Sequence, residues 1–542
     1  MEVKKNQTYE LFIESADRNG SGVGRLNGMA VFVPYALPGE RVRALIIKTA
    51  KRYAVGKLTE VLQASPARVQ PVCPYFLRCG GCTMQHMEYR QQLEIKRAQT
   101  EETLRRISHL PVSVETCIGM EEPYLYRNKA QFPVGTDAFG RPIFGFFSPH
   151  SHRIIDIDKC AIQQMNVNKA FLTVRRIAER MNVSVYNEQK HQGVLRHVVI
   201  RQSQKTGRLM VVLVGNAKRL PKEEEWVQAL CGALPELESL YFCSNTARGN
   251  IVLSPQCSLL WGRAALEDEL CGIRFSLSPL SFLQVNPVQA EKLYGLALEL
   301  ADLDGTQRVL DAYCGIGIMT QLFARHAAKA IGVEIVPDAI ENARESARSN
   351  GIANAEFYCG DCAALMPELL QKGVDVLVLD PPRAGCEASL IEALRGAGLQ
   401  RIVYISCDPA TLARDLERLD AAGYFPQRIL CVDMFCQTGH VETVCLLSKL
   451  NTKQHIEINL DMDELDLTDA EKKATYQEIK DYVLEHSGLK VSSLYIAQVK
   501  QQCGIIEREN YNKPKSEDAK QPQCPPDKEK AIKEALKHFG MI

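Results

Sequence analysis

VLDAYCGIG, residues Val309–Gly317, is the stretch on which the fold turns. Apolar positions flanking Asp311 read as a buried strand, Gly315 and Gly317 as a tight turn, and the residues after them as a helix. Further along the chain, KAIGVEIV, AEFYCG, VDVLVLD, RIVYISC and ETVCLLSKL have the same strand character, with helical segments between most of them. This alternation predicts an α/β domain over residues 281–450, a doubly wound sheet covered by helices on both faces. Sheets of this kind bind ligands at the carboxyl ends of their strands, so the strand-end residues carry the functional information.

Gly315 and Gly317 let backbone approach a ligand, and Glu334 ends the next strand 19 residues beyond Gly315. A carboxylate there can accept hydrogen bonds from both ribose hydroxyls of an adenosine cofactor, and Asp361 after the third strand is placed to reach the adenine edge. A kinase-type phosphate loop would need Gly-Lys-Ser/Thr, which is missing. A dinucleotide site would carry a third glycine, where Met319 and Thr320 stand instead. S-adenosylmethionine has no phosphate, so two glycines suffice.

Two later strand ends carry less ordinary chemistry. VDVLVLD ends in Asp380-Pro381-Pro382-Arg383, where the prolines stiffen the loop that holds the carboxylate. RIVYIS ends in Ser406-Cys407-Asp408-Pro409, with Asp408 as the expected N-cap of the next helix and Pro409 at its first position. Cys407 would then sit at a helix N-terminus, where the dipole favours thiolate and is expected to lower the thiol pKa. Glu442 in Gly439-His440-Val441-Glu442 opens the last strand at the same edge, within reach as a general base. Carbon 5 of uracil is too poor a nucleophile to take a methyl group unaided. A thiolate added at carbon 6 supplies the electron density, and a base then removes the carbon 5 proton. Methylation at oxygen or at an exocyclic amine needs no such pair.

Residues 1–64 read as short strands broken by turns at Asn19-Gly20 and Pro38-Gly39-Glu40. Ten Lys/Arg against six Asp/Glu leave four excess positive charges, as in a small RNA-binding β-barrel. Residues 65–280 begin with a loop holding Cys73, Cys79 and Cys82. Next come a helix from Glu88 to about residue 110 and an α+β stretch containing HVVIRQ, RLMVVLVG and SLYFCS. Three thiols so close together indicate a metal or a cluster. Zinc is open on ligand type alone, and spacing does not identify a fourth ligand. Residues 451–542 form an extension: an acidic linker at 461–469, then amphipathic helices around a polar loop at 511–528. A helix-turn-helix-like RNA-binding module and a plain packing appendage both fit it.

The whole chain has 65 basic and 65 acidic residues, so nucleic-acid binding cannot be argued from net charge. Without a signal peptide or a long apolar run, no membrane is involved and a cytoplasmic location is expected. In that compartment most of the 19 cysteines are expected to be reduced and buried.

SFLQVN (Ser281–Asn286), DAYCGIG, IGVE, DPPR, SCDPATLARD and GHVETV occur in the order found in the bacterial 5-methyluridine RNA methyltransferases. Over residues 1–450 the chain resembles that family's iron–sulfur 23S ribosomal RNA branch. The resemblance implies a Rossmann-like methyltransferase domain in which Gln284, Tyr313, Glu334 and Asp380 contact S-adenosylmethionine. It makes Cys407 the nucleophile, Glu442 the base and a flipped-out uridine the target. It adds Cys160 to Cys73, Cys79 and Cys82 as ligands of a [4Fe-4S] cluster. GVGRLNGMAVFVPYALPGERV resembles the core of an OB-like TRAM domain, and YRNKAQFPV (Tyr126–Val134) the family's RNA-contacting region. A monomer is expected, with the helix at about 88–110 against the catalytic domain. This sequence departs from many relatives in having Asp408 in place of Asn, which adds negative charge beside the thiol, and in continuing past residue 450. The alternatives are the same chemistry on transfer RNA, whose enzymes typically lack residues equivalent to 1–82, and a non-catalytic iron–sulfur RNA-binding protein.

Overall fold

The computed structural model describes residues 3–449, 476–503, 524–539 and 541. Two compact units divide the chain, Met1–Asn451 and Thr452–Ile542.

In the first unit, strands Thr8–Ala16, Gly22–Leu26, Met29–Val33, Arg41–Thr49 and Tyr53–Gln63 close a five-stranded barrel. Alternate residues such as Leu11, Ile13, Val31, Val33, Val42 and Ala44 fill its interior. A seven-stranded sheet follows, running in space from Cys257–Gly262 to Ile154–Asp156, with helices Met165–Arg180 and Glu223–Ala233 packed against it through Phe171, Val174, Trp226 and Leu230.

An eight-stranded sheet has the order Ala355–Cys359, Lys329–Glu334, Arg308–Ala312, Val376–Leu379, Arg401–Ser406, Glu442–Lys449, Tyr424–Val432, Cys117–Ile118. The first five strands are parallel, and Glu442–Lys449 is antiparallel to both of its neighbours. This is the expected α/β class. Parallel strands buried on both faces account for the unbroken apolar runs, such as Val376–Leu379. Several strands lie outside the sequence reading, six of them between Lys129 and Leu277, and three others have local causes. Gly22–Leu26 is glycine-rich, Cys117–Ile118 has two residues, and Tyr424–Val432 is interrupted by Pro426 and a register shift before Arg428.

Helix Tyr89–Ser108 packs on helix Pro409–Ala421. Its Lys96 Nζ lies 2.5 Å from Asp433 Oδ1, with both side chains buried, and the Tyr89 hydroxyl donates to Asp433 Oδ2 at 2.8 Å. Removing one member of a buried pair strands the other charge, which costs about 3–5 kcal/mol. Lys96→Met should therefore lower the urea midpoint, and Lys96→Met combined with Asp433→Leu should recover most of the loss. An unchanged midpoint in the single variant would show that the pair contributes nothing.

In the second unit, helices Tyr476–Ser487, Ser493–Gln502 and Pro526–His538 share a core of Ile479, Val483, Ile496, Val499, Ile532 and Leu536. The acidic linker at 461–469 and residues 511–523 of the polar loop lie outside the described residues. No described helix is long and apolar enough to cross a membrane.

Candidate active site

The carboxyl edge of the eight-stranded sheet gathers the predicted residues from separate strands. Ser406 pairs with Thr443 across antiparallel strands, so Cys407, one residue beyond, and Glu442, one residue before, extend the same register at the rim. Asp380 follows the strand Val376–Leu379 beside them. Asp408 caps helix Pro409–Ala421 as expected, its Oδ1 accepting from Ala410 N at 2.8 Å and Thr411 N at 3.3 Å. Its other oxygen is 3.8 Å from Arg18 Nη1 of the barrel. The extra charge of Asp408 is therefore taken up by helix amides and an arginine.

The half-buried Cys407 thiol has a raised pKa, contrary to the expectation from the helix dipole. Burial is the main cause, and the Glu442 and Asp380 charges add to it, while Arg383 opposes. Burial and the Asp380 charge push Glu442 up to about 8, again opposed by Arg383. Burial also raises Asp380 to about 7. Arg383, which the sequence reading left without a role, moderates both the thiol and the base.

The cofactor loop is built as its glycines require. Tyr313, Gly315 and Gly317 all have positive φ, at 71°, 55° and 76°. A side chain on Gly317 would strike Phe357 and Ala343, whereas the space over Gly315 is open. Gly315 N donates to Glu334 Oε2 at 3.2 Å and Val336 N to Oε1 at 3.0 Å, which orients that carboxylate. Asp361 caps helix Cys362–Gln371 through Ala364 N. Gln284 is buried two residues before Asn286, the cap of helix Pro287–Ala301. The site also includes Asp311, assigned no ligand role from sequence. Thr320 Oγ1 donates to its Oδ2 at 2.5 Å, while its buried Oδ1 has no partner. Burial, with the Asp380 and Glu334 charges, raises Asp311 to about 7. Two buried acids that repel each other around an open glycine turn form a cradle suited to a cation.

Cys73, Cys79, Cys82 and Cys160 line one cavity of about 420 Å³, together with Arg127 and Lys129. The thiols sense one another: Cys82 is raised by burial and then by Cys160, Cys79 and Cys73, and Cys160 is raised to about 11 by burial, with Cys79 and Cys73 adding to it. Among the described residues, no three ligating side chains are gathered as around a single metal ion.

Residues 2–59 match the TRAM domain family and residues 303–423 the methyltransferase domain family. A protein of Clostridium tetani named as an uncharacterized RNA methyltransferase is 44% identical over 454 residues, covering 83% of this chain and 98% of its own. One from Halalkalibacterium halodurans is 43% identical over 452 residues, with the same coverage. The Pyrococcus abyssi tRNA (uracil-54, C5)-methyltransferase, solved with S-adenosyl-L-homocysteine, is 28% identical at a TM-score of 0.67, covering 81% of this chain and 100% of its own. The chain belongs to the RNA methyltransferases, in the 5-methyluridine family whose motifs it carries, with a TRAM domain joined to its methyltransferase domain.

Proposed function

We propose that this protein methylates carbon 5 of a flipped-out uridine in 23S ribosomal RNA, through a covalent bond between Cys407 and the uracil, and acts in the cytoplasm as a monomer. The observation that carries the reading is Cys407 facing Glu442 across a strand pair beside Asp380, at the edge that holds the cofactor turn. The Cys407 thiol passes its proton to solvent and the thiolate adds to carbon 6, which moves electron density onto carbon 5. S-adenosylmethionine, when bound, supplies an electrophilic methyl group on a sulfonium. Glu442 then takes the carbon 5 proton, the carbon 5–carbon 6 double bond re-forms, and the Cys407 sulfur leaves. A carboxylate with a pKa raised to about 8 is a stronger base than an ordinary glutamate, which suits this role. Arg383 favours the thiolate that the carboxylates disfavour.

The cradle fits the cofactor: Asp311 Oδ1 lacks a partner and Gly315 is open, and Glu334, Asp361, Tyr313 and Gln284 would hold the rest of it. In the free protein Asp311 and Asp380 hold their protons up to about pH 7. A bound cation favours their ionised forms, so binding releases protons and tightens as pH rises toward 7. Calorimetry should show affinity rising roughly tenfold between about pH 6 and pH 8. A flat profile would remove these carboxylates from the cationic contact.

Four thiols spread around a cavity of this size suit a [4Fe-4S] group better than one zinc held at about 2.3 Å. Intact protein should be brown and carry iron and labile sulfide, whereas colourless protein with stoichiometric zinc would overturn the cluster. The resemblance of residues 1–450 to the iron–sulfur 23S ribosomal RNA branch supports ribosomal RNA as the target. Transfer RNA is the second reading, favoured by the likeness to the Pyrococcus enzyme. Mapping 5-methyluridine in both RNA pools, with and without the gene, decides between them.

A further inference from the structure

The loop Asp433–Val441 carries Glu442 at its end and joins it to the neighbouring strand Tyr424–Val432. At its middle, Gln437 has φ 69°, a left-handed conformation that a side chain other than glycine adopts only when its surroundings enforce it. Those surroundings are the cysteine loop and the helix that follows it. The Gln437 carbonyl accepts from Thr83 N at 2.9 Å and Met84 N at 3.0 Å, immediately after Cys82. Its buried side-chain oxygen accepts from Gln92 Nε2 at 3.0 Å. The same Gln92 amide donates to Met84 O at 3.0 Å and Met87 O at 2.8 Å, so one side chain joins the cysteine loop, the helix and the base-bearing loop.

Neighbouring residues repeat the connection. The Cys436 carbonyl accepts from the Tyr126 hydroxyl at 3.1 Å, and Cys436 packs in one buried group with Cys82, Phe76 and Ile162, against which Cys73 and Cys160 also lie. Cys407, by contrast, stands on the Arg401–Ser406 strand and the helix after it, outside these hydrogen bonds. Glu442 and Cys407 share one strand pair, but only Glu442 is joined directly to the loop that these hydrogen bonds hold.

We propose that Gln437 is a positioning residue through which the four-cysteine loop fixes the Glu442 carboxylate, so that the metal–thiolate group serves the proton-removal half of the reaction. This rests on the covalent uridine-5 reading above. Losing the restraint leaves thiol addition and methyl transfer in place and slows release of the methylated RNA from Cys407.

The test is single-turnover methylation of ribosomal RNA transcript by the full chain, following both the denaturant-resistant protein–RNA adduct and free 5-methyluridine. Gln437→Gly keeps the carbonyl and relieves the left-handed backbone while deleting the bond to Gln92. Gln92→Leu deletes the donor at similar volume. In both variants, and in wild-type protein stripped of metal by a chelator, the adduct should form within about twofold of the wild-type rate but resolve about tenfold more slowly, and so accumulate. A merely structural role shrinks the active fraction and lowers formation and resolution together; that result, or wild-type resolution in both variants, overturns the assignment. Glu442→Gln and 5-fluorouridine RNA serve as controls. If neither traps an adduct, the covalent reading fails and this inference falls with it. If both trap one while the Gln437 and Gln92 variants behave as wild type, only the positioning role is lost.

Discussion

Cys407→Ala should leave RNA unmethylated, with turnover reduced by at least about a thousandfold, because no other group at the rim can raise the electron density of carbon 5. Among the described residues facing this edge, Asp380 and Glu442 are acids, Arg383 is a cation, and Cys407 is the thiol at the strand end. Truncation of a half-buried cysteine at a loop removes little packing, so the fold should persist. S-adenosylmethionine should bind within about twofold of wild type, since its cradle lies on the Arg308–Ala312 and Lys329–Glu334 strands. Nucleoside mass spectrometry of the RNA and a denaturing gel with 5-fluorouridine RNA read the two consequences separately. Methylation surviving in this variant would take Cys407 out of the nucleophile role.

Glu442→Gln should produce a different defect. The amide fills the same buried space but cannot accept the carbon 5 proton, so the adduct should form and then persist, with release slowed by about 10² to 10⁴-fold. In the wild type, release should speed up as pH rises toward 8, because burial and the Asp380 charge hold the proton on Glu442 until then. That acid limb should vanish in the variant. Release at the wild-type rate would mean that another group is the base.

What could be read from the sequence follows how locally each feature is specified. Gly315, Gly317, the two prolines after Asp380 and the Asp408-Pro409 helix start are punctuation, and each marks a strand end without knowledge of the rest of the chain. The rim was therefore legible. The sign of the Cys407 shift was not, because the helix terminus is one field among several; burial, Glu442 and Asp380 act against it, and they come from other strands. Lys96 and Asp433 lie 337 residues apart, and Gln92 and Gln437 lie 345 apart, so nothing in either neighbourhood announces its partner. Asp311 looked like an ordinary strand end until its Oδ1 proved buried without a partner.

Gly439 has one further consequence. A Cβ there would lie 2.1 Å from the Arg18 carbonyl and 2.8 Å from Asn19 Cα, so the barrel's turn is seated directly on the backbone between Gln437 and Glu442. The barrel is thus not a detachable grip that could be exchanged like a tool head. Any graft from a relative would have to import a turn of the same depth, and even a methyl group at position 439 would wedge the two modules apart.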